Sequence, residues 1–325
     1  MSGGRWIVVG GAGFIGSHVA ERLLADPATE LVTVYDNFSS GREWHLGAGL
    51  HDPRLRVTRG DAGDLEALVA AMGGHDTAVH LASNPDIAKA MSRPAIDFDE
   101  GTLLTHRVVE AARVAGVSRI LYASGSGVYG DLGDVVAHED HAPMLPISTY
   151  GASKLAGEAL ICAYCHLFDM RACAFRFGNV VGPRQTHGVG YDFVRRLLET
   201  PDRLPVMGDG TQRKSYVHVH DVVDAVLLAG ARTREPFRAY NVATGDSITV
   251  REIAELAVEC VGLAPGRTEL VFSGGDRGWK GDVPVVLLDS SRIRALGWTH
   301  TMSSREAMRR SMLAILADAT AGRLA

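Results

Sequence analysis

Through the first half of the chain, short apolar runs ending in glycine or an acid alternate with longer amphipathic stretches. Trp6-Ile7-Val8-Val9 is apolar without alternation, the pattern of a strand covered on both faces, and it stops at Gly10-Gly11. A helical stretch follows over residues 16–25 and ends near Pro27. Leu31-Val32-Thr33-Val34-Tyr35 predicts a second strand ending at Asp36. Further strands are expected over 55–58, 78–82, 119–123 and 172–177, with helices between them, notably over 94–115 and 149–168. This order predicts an α/β fold, a Rossmann-type doubly wound parallel sheet with right-handed crossovers.

After Phe177 the rhythm breaks, and Gly182-Pro183, Gly188, Gly190 and Gly208-Asp209-Gly210 separate shorter elements. Thr249 with Glu252 and Ser303 with Glu306 have capping-box spacing, which starts two helices. A smaller α/β substrate-binding lobe, closing over the carboxyl ends of the strands, is expected here.

Composition narrows the field. A chain of 325 residues exceeds what one core usually spans, and 46% hydrophobic with 22% charged residues excludes a disordered scaffold. A net charge of -5 leaves no basic footprint for duplex nucleic acid. No apolar run approaches the roughly 20 residues of a membrane span, and Met1 to Arg5 has no signal-peptide layout. Four cysteines make no disulfide framework. A cytoplasmic protein without nucleic-acid or membrane partners is expected.

Gly10, Gly13 and Gly16 fall between the first strand and the first helix, with Phe14 and Ile15 between the last two as further candidate cofactor contacts. Glycines there permit a tight turn, and the helix N-terminus offers free N–H groups to a pyrophosphate. Asp36, ending the second strand, would accept hydrogen bonds from an adenosine ribose and repel a 2′-phosphate, which favours NAD over NADP. Asn37 follows it. Asp61 and Ala62, after Gly60, would lie near the adenine, although a turn aspartate accounts equally well for that spacing. Leu81, Ala82 and Ser83 would pass beneath the cofactor, and Phe177 is a further candidate cofactor contact. Residues 1–178 are read as the NAD-binding domain and 179–325 mainly as the substrate lobe, with segments near 216–245 returning to the main domain.

Tyr150-Gly151-Ala152-Ser153-Lys154 sets a phenol and an ammonium four residues apart, on one helix face. A nearby cation stabilises phenolate, so Lys154, helped by the positive nicotinamide, would lower the tyrosine's pKa from about 10 and make Tyr150 a general base near neutrality. Tyr-x-x-x-Lys alone is a common surface pair; its weight comes from accompanying the glycine turn.

With these residues the sequence resembles the extended short-chain dehydrogenase/reductase family, and within it NAD-dependent nucleotide-sugar epimerases of the UDP-glucose/UDP-galactose 4-epimerase type. The similarity also runs through His18, Val128-Tyr129-Gly130, the segment Arg176 to Pro183, Gly208 to Tyr216 with Asp221, and Arg277 to Asp282. It implies that Tyr150 takes the proton of a sugar hydroxyl while hydride leaves the same carbon for NAD and later returns to the other face of a 4-keto sugar. It implies that Lys154 binds the nicotinamide ribose, that Asn179 contacts the diphosphate region, and that Arg213 or Lys214, with Arg277, neutralises the phosphates of a UDP-sugar. A homodimer pairing the helices near 94–115 and 149–168 as a four-helix bundle is implied as well.

Two departures stand out. The family's Ser or Thr relay, four residues before the Tyr of Val-Tyr-Gly, is Gly125 here, which has no side-chain donor. Ser124 or Ser126 would substitute, or water would, or Tyr150 would meet the sugar directly. Gly101 stands where the family often has Asn. Related 4,6-dehydratases carry an Asp-Glu pair where this chain has Ser126 and Gly127, and related decarboxylases carry Glu at the second position. Epimerisation is therefore the simplest reading. The alternatives are a dehydratase, decarboxylase or oxidoreductase using the same Tyr150–Lys154 pair, and an NAD-binding protein that has lost turnover.

No metal site is expected. Cys162-Ala163-Tyr164-Cys165-His166 resembles a metal or redox motif but lies within a helix and lacks a second ligand pair. His218 and His220 flank Val219 in a strand-like stretch and would point the same way. Trp279-Lys280-Gly281-Asp282 reads as a loop at the substrate mouth or a packed turn.

Overall fold

The computed structural model describes residues 4–84, 86–278 and 281–324, so Trp279 and Lys280 lie outside the described residues. The first half runs β1 (Gly4–Val9), α1 (Phe14–Leu24), β2 (Thr29–Asp36), β3 (Leu55–Arg59), α2 (Leu65–Met72) and β4 (Thr77–His80). It continues through α3 (Leu104–Ala115), β5 (Arg119–Gly125), α4 (Thr149–Leu167) and β6 (Arg171–Phe177). Then come β7 (Asn179–Val181), α5 (Val189–Glu199), β8 (Arg203–Val206), β9 (Arg213–Lys214), β10 (Tyr216–His218), α6 (Val219–Arg232) and β11 (Phe237–Val242). The chain closes with β12 (Ile248–Thr249), α7 (Val250–Val261), β13 (Glu269–Phe272), β14 (Val285–Val286), α8 (Ser291–Ala295) and α9 (Ser304–Thr320).

Among the described residues the main sheet has seven strands in the order β11-β6-β5-β4-β1-β2-β3, every pair parallel. The chain steps outward from β1 to β2 and β3, then crosses back to β4 on the other side of β1. That reversal opens a crevice at the carboxyl ends of β1 and β4, where ligands of such sheets bind.

The unbroken apolar run of β1 has a direct cause. Trp6 and Val8 enter the core under α1 and α6, while Ile7 and Val9 enter the opposite core against α2 and α3. Side chains alternate between faces, so a strand covered on both sides must be apolar at every position. Each fully buried Val or Ile contributes roughly 1.5–3 kcal/mol.

The helices begin where short polar side chains satisfy their first N–H groups. Asp64 accepts from Ala67 N at 3.1 Å and Ser148 from Gly151 N at 3.1 Å. At Thr249 the reciprocal capping box forms in full. At Ser303 only the forward bond, from Glu306 N, is present; the Glu306 carboxylate instead accepts from Arg310 Nε at 2.9 Å.

Three local readings change. The helix expected over 94–115 becomes regular only at Leu104, after a π-helical segment, Phe98–Leu103. Gly101 sits in that segment and presses on α4 so closely that a Cβ there would stand 2.6 Å from Ser153 Oγ. The strand over 78–82 ends at His80, because Leu81 N and Ala82 N both turn to the carbonyl of Val9, at 2.9 and 3.1 Å. His218 and His220 do not share a strand: β10 ends at His218, whose Nδ1 accepts from His220 N and caps α6.

In the second half, α5, α7 and α9 with β8 and β13 enclose a separate core that includes Val194, Leu197, Ile253, Leu256, Met308 and Met312. Two elements return to the main sheet: α6 packs on α1 and β6, and β11 pairs with β6.

Candidate active site

A cavity of about 850 Å³ lies along the carboxyl ends of the strands and reaches between the sheet and the second core. Its floor is the turn between β1 and α1. Gly10 has φ +83°, and a Cβ there would come 2.8 Å from Ala82 N. At Gly16 a Cβ would meet Gly10 O at 2.3 Å. Only glycine lets the turn close this tightly. Gly13 caps α1 without a side-chain hydrogen bond, so the first-turn N–H groups around Phe14, Ile15 and Gly16 carry positive charge into the cavity wall.

Asp36 is buried at the end of β2 and accepts from Ala12 N at 2.9 Å and from Phe38 N at 2.7 Å. Both oxygens are oriented by the backbone, which fixes an acceptor beside the glycine turn. Asn37 Nδ2 donates to Asp61 Oδ2 at 3.1 Å, and Gly63 N holds the other Asp61 oxygen at 2.7 Å. Ala62, Leu81, Ala82, Ser83 and Phe177 complete this end of the lining. A shaped backbone cradle, a helix N-terminus and an ordered carboxylate together fit a dinucleotide with free ribose hydroxyls.

Tyr150 and Lys154 stand one turn apart on α4, and both line the cavity. The Lys154 ammonium is buried, donates to Ala123 O at 2.8 Å, and lies 5.2 Å from the Tyr122 ring centroid and 5.5 Å from that of Tyr150. Burial pulls the Lys154 pKa down to about 8, with Asp97 opposing. Burial also pushes Tyr150 up to about 12; the nearby Ser83 side chain draws it back, and Asp97 raises it further. Among the chain's own groups burial dominates the phenol, whereas the expected lowering draws on the positive nicotinamide together with Lys154.

The serines separate. Ser124 is buried and donates to Glu158 Oε1 at 2.5 Å, inside a network where Arg176 Nη2 donates to Glu158 Oε2 at 2.6 Å. Although it borders the cavity, its one proton is committed to that carboxylate. Ser126 lines the cavity where a 3-10 turn, Ser126–Tyr129, begins. Gly125 has extended backbone and nothing within 4 Å of an added Cβ.

The proposed phosphate contacts also separate. Lys214 and Asn179 line the cavity; Lys214 Nζ donates to Asp282 Oδ1 at 2.5 Å, and Asn179 Nδ2 to Ser215 O at 3.3 Å. Arg213, one residue away on β9, points off the lining to Asp134 at 3.1 Å, since neighbouring strand residues face opposite sides. Arg277 is off the lining too: it donates to Asp131 at 2.6 Å and to Asp282 O at 2.9 Å, fastening the loop that carries Asp282.

Several contributors carry no sequence signal. Asp97 is buried behind the pair, accepting from Asn84 Nδ2 at 3.0 Å and Thr149 Oγ1 at 2.6 Å. Gln185 and His187 line the cavity from the second half of the chain. A lone Asp before an irregular helix, or a Gln and a His in a loop, matches no motif. Among the described residues no group of His, Cys, Asp and Glu is arranged for a metal ion, and the four cysteines are unpaired.

Comparison with known proteins places this geometry. Residues 6–243 match the NAD dependent epimerase/dehydratase family, and the chain belongs to that family. It is 33% identical over 316 residues to a UDP-glucose 4-epimerase of Mycolicibacterium smegmatis, covering 95% of this chain and 97% of the relative. It is similar to a crystal structure of UDP-galactose 4-epimerase at 37% identity and TM-score 0.85, over 97% of this chain and 99% of that one. It is also similar to the dTDP-glucose 4,6-dehydratase of Streptomyces venezuelae, solved with NAD, at 28% identity and TM-score 0.89, over 97% and 98%. The cofactor of this enzyme family is NAD.

Proposed function

We propose that the chain is a 4-epimerase of a nucleotide-linked hexose of the UDP-glucose/UDP-galactose type, working through a transient 4-keto sugar. The observation carrying this reading is the uncharged segment Gly125-Ser126-Gly127 in the cavity wall beside Tyr150. Removing water from the sugar would require a further acid and base there. The identities to UDP-hexose 4-epimerases, over nearly the whole chain, support it.

NAD, when bound, accepts a hydride from the sugar carbon and gives it back. Tyr150 holds the proton of the sugar hydroxyl at its phenolic oxygen. Lys154, tethered to Ala123, keeps a cation at the foot of the site. Lys214 offers its charge to the diphosphate, exchanging part of its pairing with Asp282, and Asn179 lies beside it. Ser126 contacts the sugar.

A panel of UDP-, dTDP-, GDP- and CDP-hexoses, incubated without added cofactor and followed by NMR, tests the reading. Expected are a C4 epimer pair, no loss of water or carbon dioxide, and no net NADH. Tyr150→Phe should lower turnover about 10²–10⁴-fold while retaining NAD. A 4-keto-6-deoxy product would make the enzyme a dehydratase, and no turnover of any sugar would remove the assignment.

We also propose a cytoplasmic homodimer. Met91, Phe98, Leu167 and Phe168 are exposed on or beside the helices expected to pair, at 60%, 59%, 71% and 44%. Such apolar surface is suited to a helix-bundle interface. Light scattering that gives the monomer mass at micromolar concentration would exclude the dimer.

A further inference from the structure

A buried ammonium is costly unless its surroundings compensate the charge. Lys154 is 3% exposed and donates to Ala123 O at 2.8 Å. Two ring faces add to that bond: Nζ lies over Tyr122, 5.2 Å from the ring centroid, and over Tyr150 at 5.5 Å. The negative face of an aromatic ring attracts a cation within about 6 Å, most strongly where water is excluded. Tyr122 is fully buried and stands on β5 immediately before Ala123, so one strand supplies both ring and carbonyl. Helix α4 makes room for the ring at Gly157, where a Cβ would stand 2.4 Å from the Tyr122 hydroxyl oxygen. Gly157 lies three residues after Lys154, on the same helix face, so its missing side chain lets the ring lie under the ammonium. The other neighbours do not displace the cation. His80, opposite Tyr122 on β4, has its ring 5.3 Å away and its Nε2 hydrogen-bonded to Thr105 Oγ1 at 3.1 Å. Burial takes His80 down to about 3, with Lys154 lowering it further, so it stays neutral. Asp97, ahead of the π-helical segment, favours the charged lysine.

We propose that Tyr122 is a positioning residue whose ring face, with the Ala123 carbonyl, seats the Lys154 ammonium against the sheet and keeps it cationic beside Tyr150. The proposal deepens the role given to Lys154 and rests on that reading of the site. Tyr122 itself touches neither substrate nor cofactor; it acts through the lysine.

The test uses the NAD-loaded protein with Tyr122→Phe, and with a series of increasingly fluorinated phenylalanines at position 122. Fluorine keeps the ring's shape while draining, and finally reversing, the negative charge of its face. The sequence has four lysines, Lys89, Lys154, Lys214 and Lys280, so carbon-13 NMR of labelled lysines follows each ammonium with pH, and the signal missing from Lys154→Met identifies the one to read. Tyr122→Phe keeps the ring face and should leave the Lys154 titration within about 0.3 pH unit of wild type. The fluorinated series should lower it stepwise, by about 1 unit or more for the fully fluorinated ring. The basic limb of kcat against pH should move down in step, with KM changed less than about threefold. A ring that only fills space leaves the titration of the fluorinated proteins where Tyr122→Phe has it. That result, a rise along the series, a Tyr122→Phe shift as large as that of the fluorinated rings, or a kcat limb that stays in place overturns the proposal. If the wild type epimerises no sugar nucleotide, the epimerase reading falls, and the NMR titration alone decides whether Tyr122 seats Lys154.

Discussion

The ammonium of Lys154 donates a 2.8 Å hydrogen bond to the main-chain carbonyl of Ala123, joining α4 to the carboxyl end of β5. The charge is therefore placed by the sheet rather than by the tyrosine it accompanies. Its position explains why burial dominates its acidity, and it gives the site a titration of its own.

Lys154 titrates near 8 in the folded chain, below its ordinary 10.5. Between these values the unfolded chain binds more protons, so stability rises with pH through that window. Tyr150, raised to about 12, acts oppositely and only above pH 10. Relative to Lys154→Met, wild type should therefore gain roughly 2 kcal/mol between pH 8 and 10. Urea unfolding across that range checks it, and a flat difference would place the shift elsewhere.

Arg176 and Glu158 form a buried pair that also holds Tyr129 and the carbonyl of Glu139. Arg176→Met leaves the Glu158 carboxylate buried and unpaired, which costs about 3–5 kcal/mol. Denaturant unfolding should show that loss, whereas Arg176→Met/Glu158→Leu should regain much of it. A double variant as unstable as the single one would refute the argument.

Asp36 presents a carboxylate ordered by Ala12 N and Phe38 N. Asp36→Ala should weaken NAD about tenfold or more and narrow the preference over NADP, since both an acceptor and a repelling charge are gone. Titration with both cofactors measures this; an unchanged ratio would mean another group sets the preference.

Lys214 and Arg213 are adjacent, yet only Lys214 lines the cavity. Lys214→Met should raise the sugar-nucleotide KM at least about tenfold, and Arg213→Met should leave it within about twofold, as expected for an exposed pair with Asp134. Equal effects would return Arg213 to the site.

The alternation of apolar runs with helices, and the glycines between β1 and α1, already determined the sheet and its cofactor cradle. Both follow from local rules: a strand covered on two faces must be apolar throughout, and a turn with a Cβ-sized clash must be glycine. Tyr150 and Lys154 were legible for the same reason, being four residues apart on one helix. Ser83 and Ser124 were not distinguishable as letters. One lines the cavity just beyond the end of β4, and the other is held by a glutamate 34 residues away in sequence. Asp97 behind the pair, the inward Lys214 and the outward Arg213 were likewise decided by packing. Side-chain direction and long-range pairing depend on which elements meet, and only the assembled sheet specifies that.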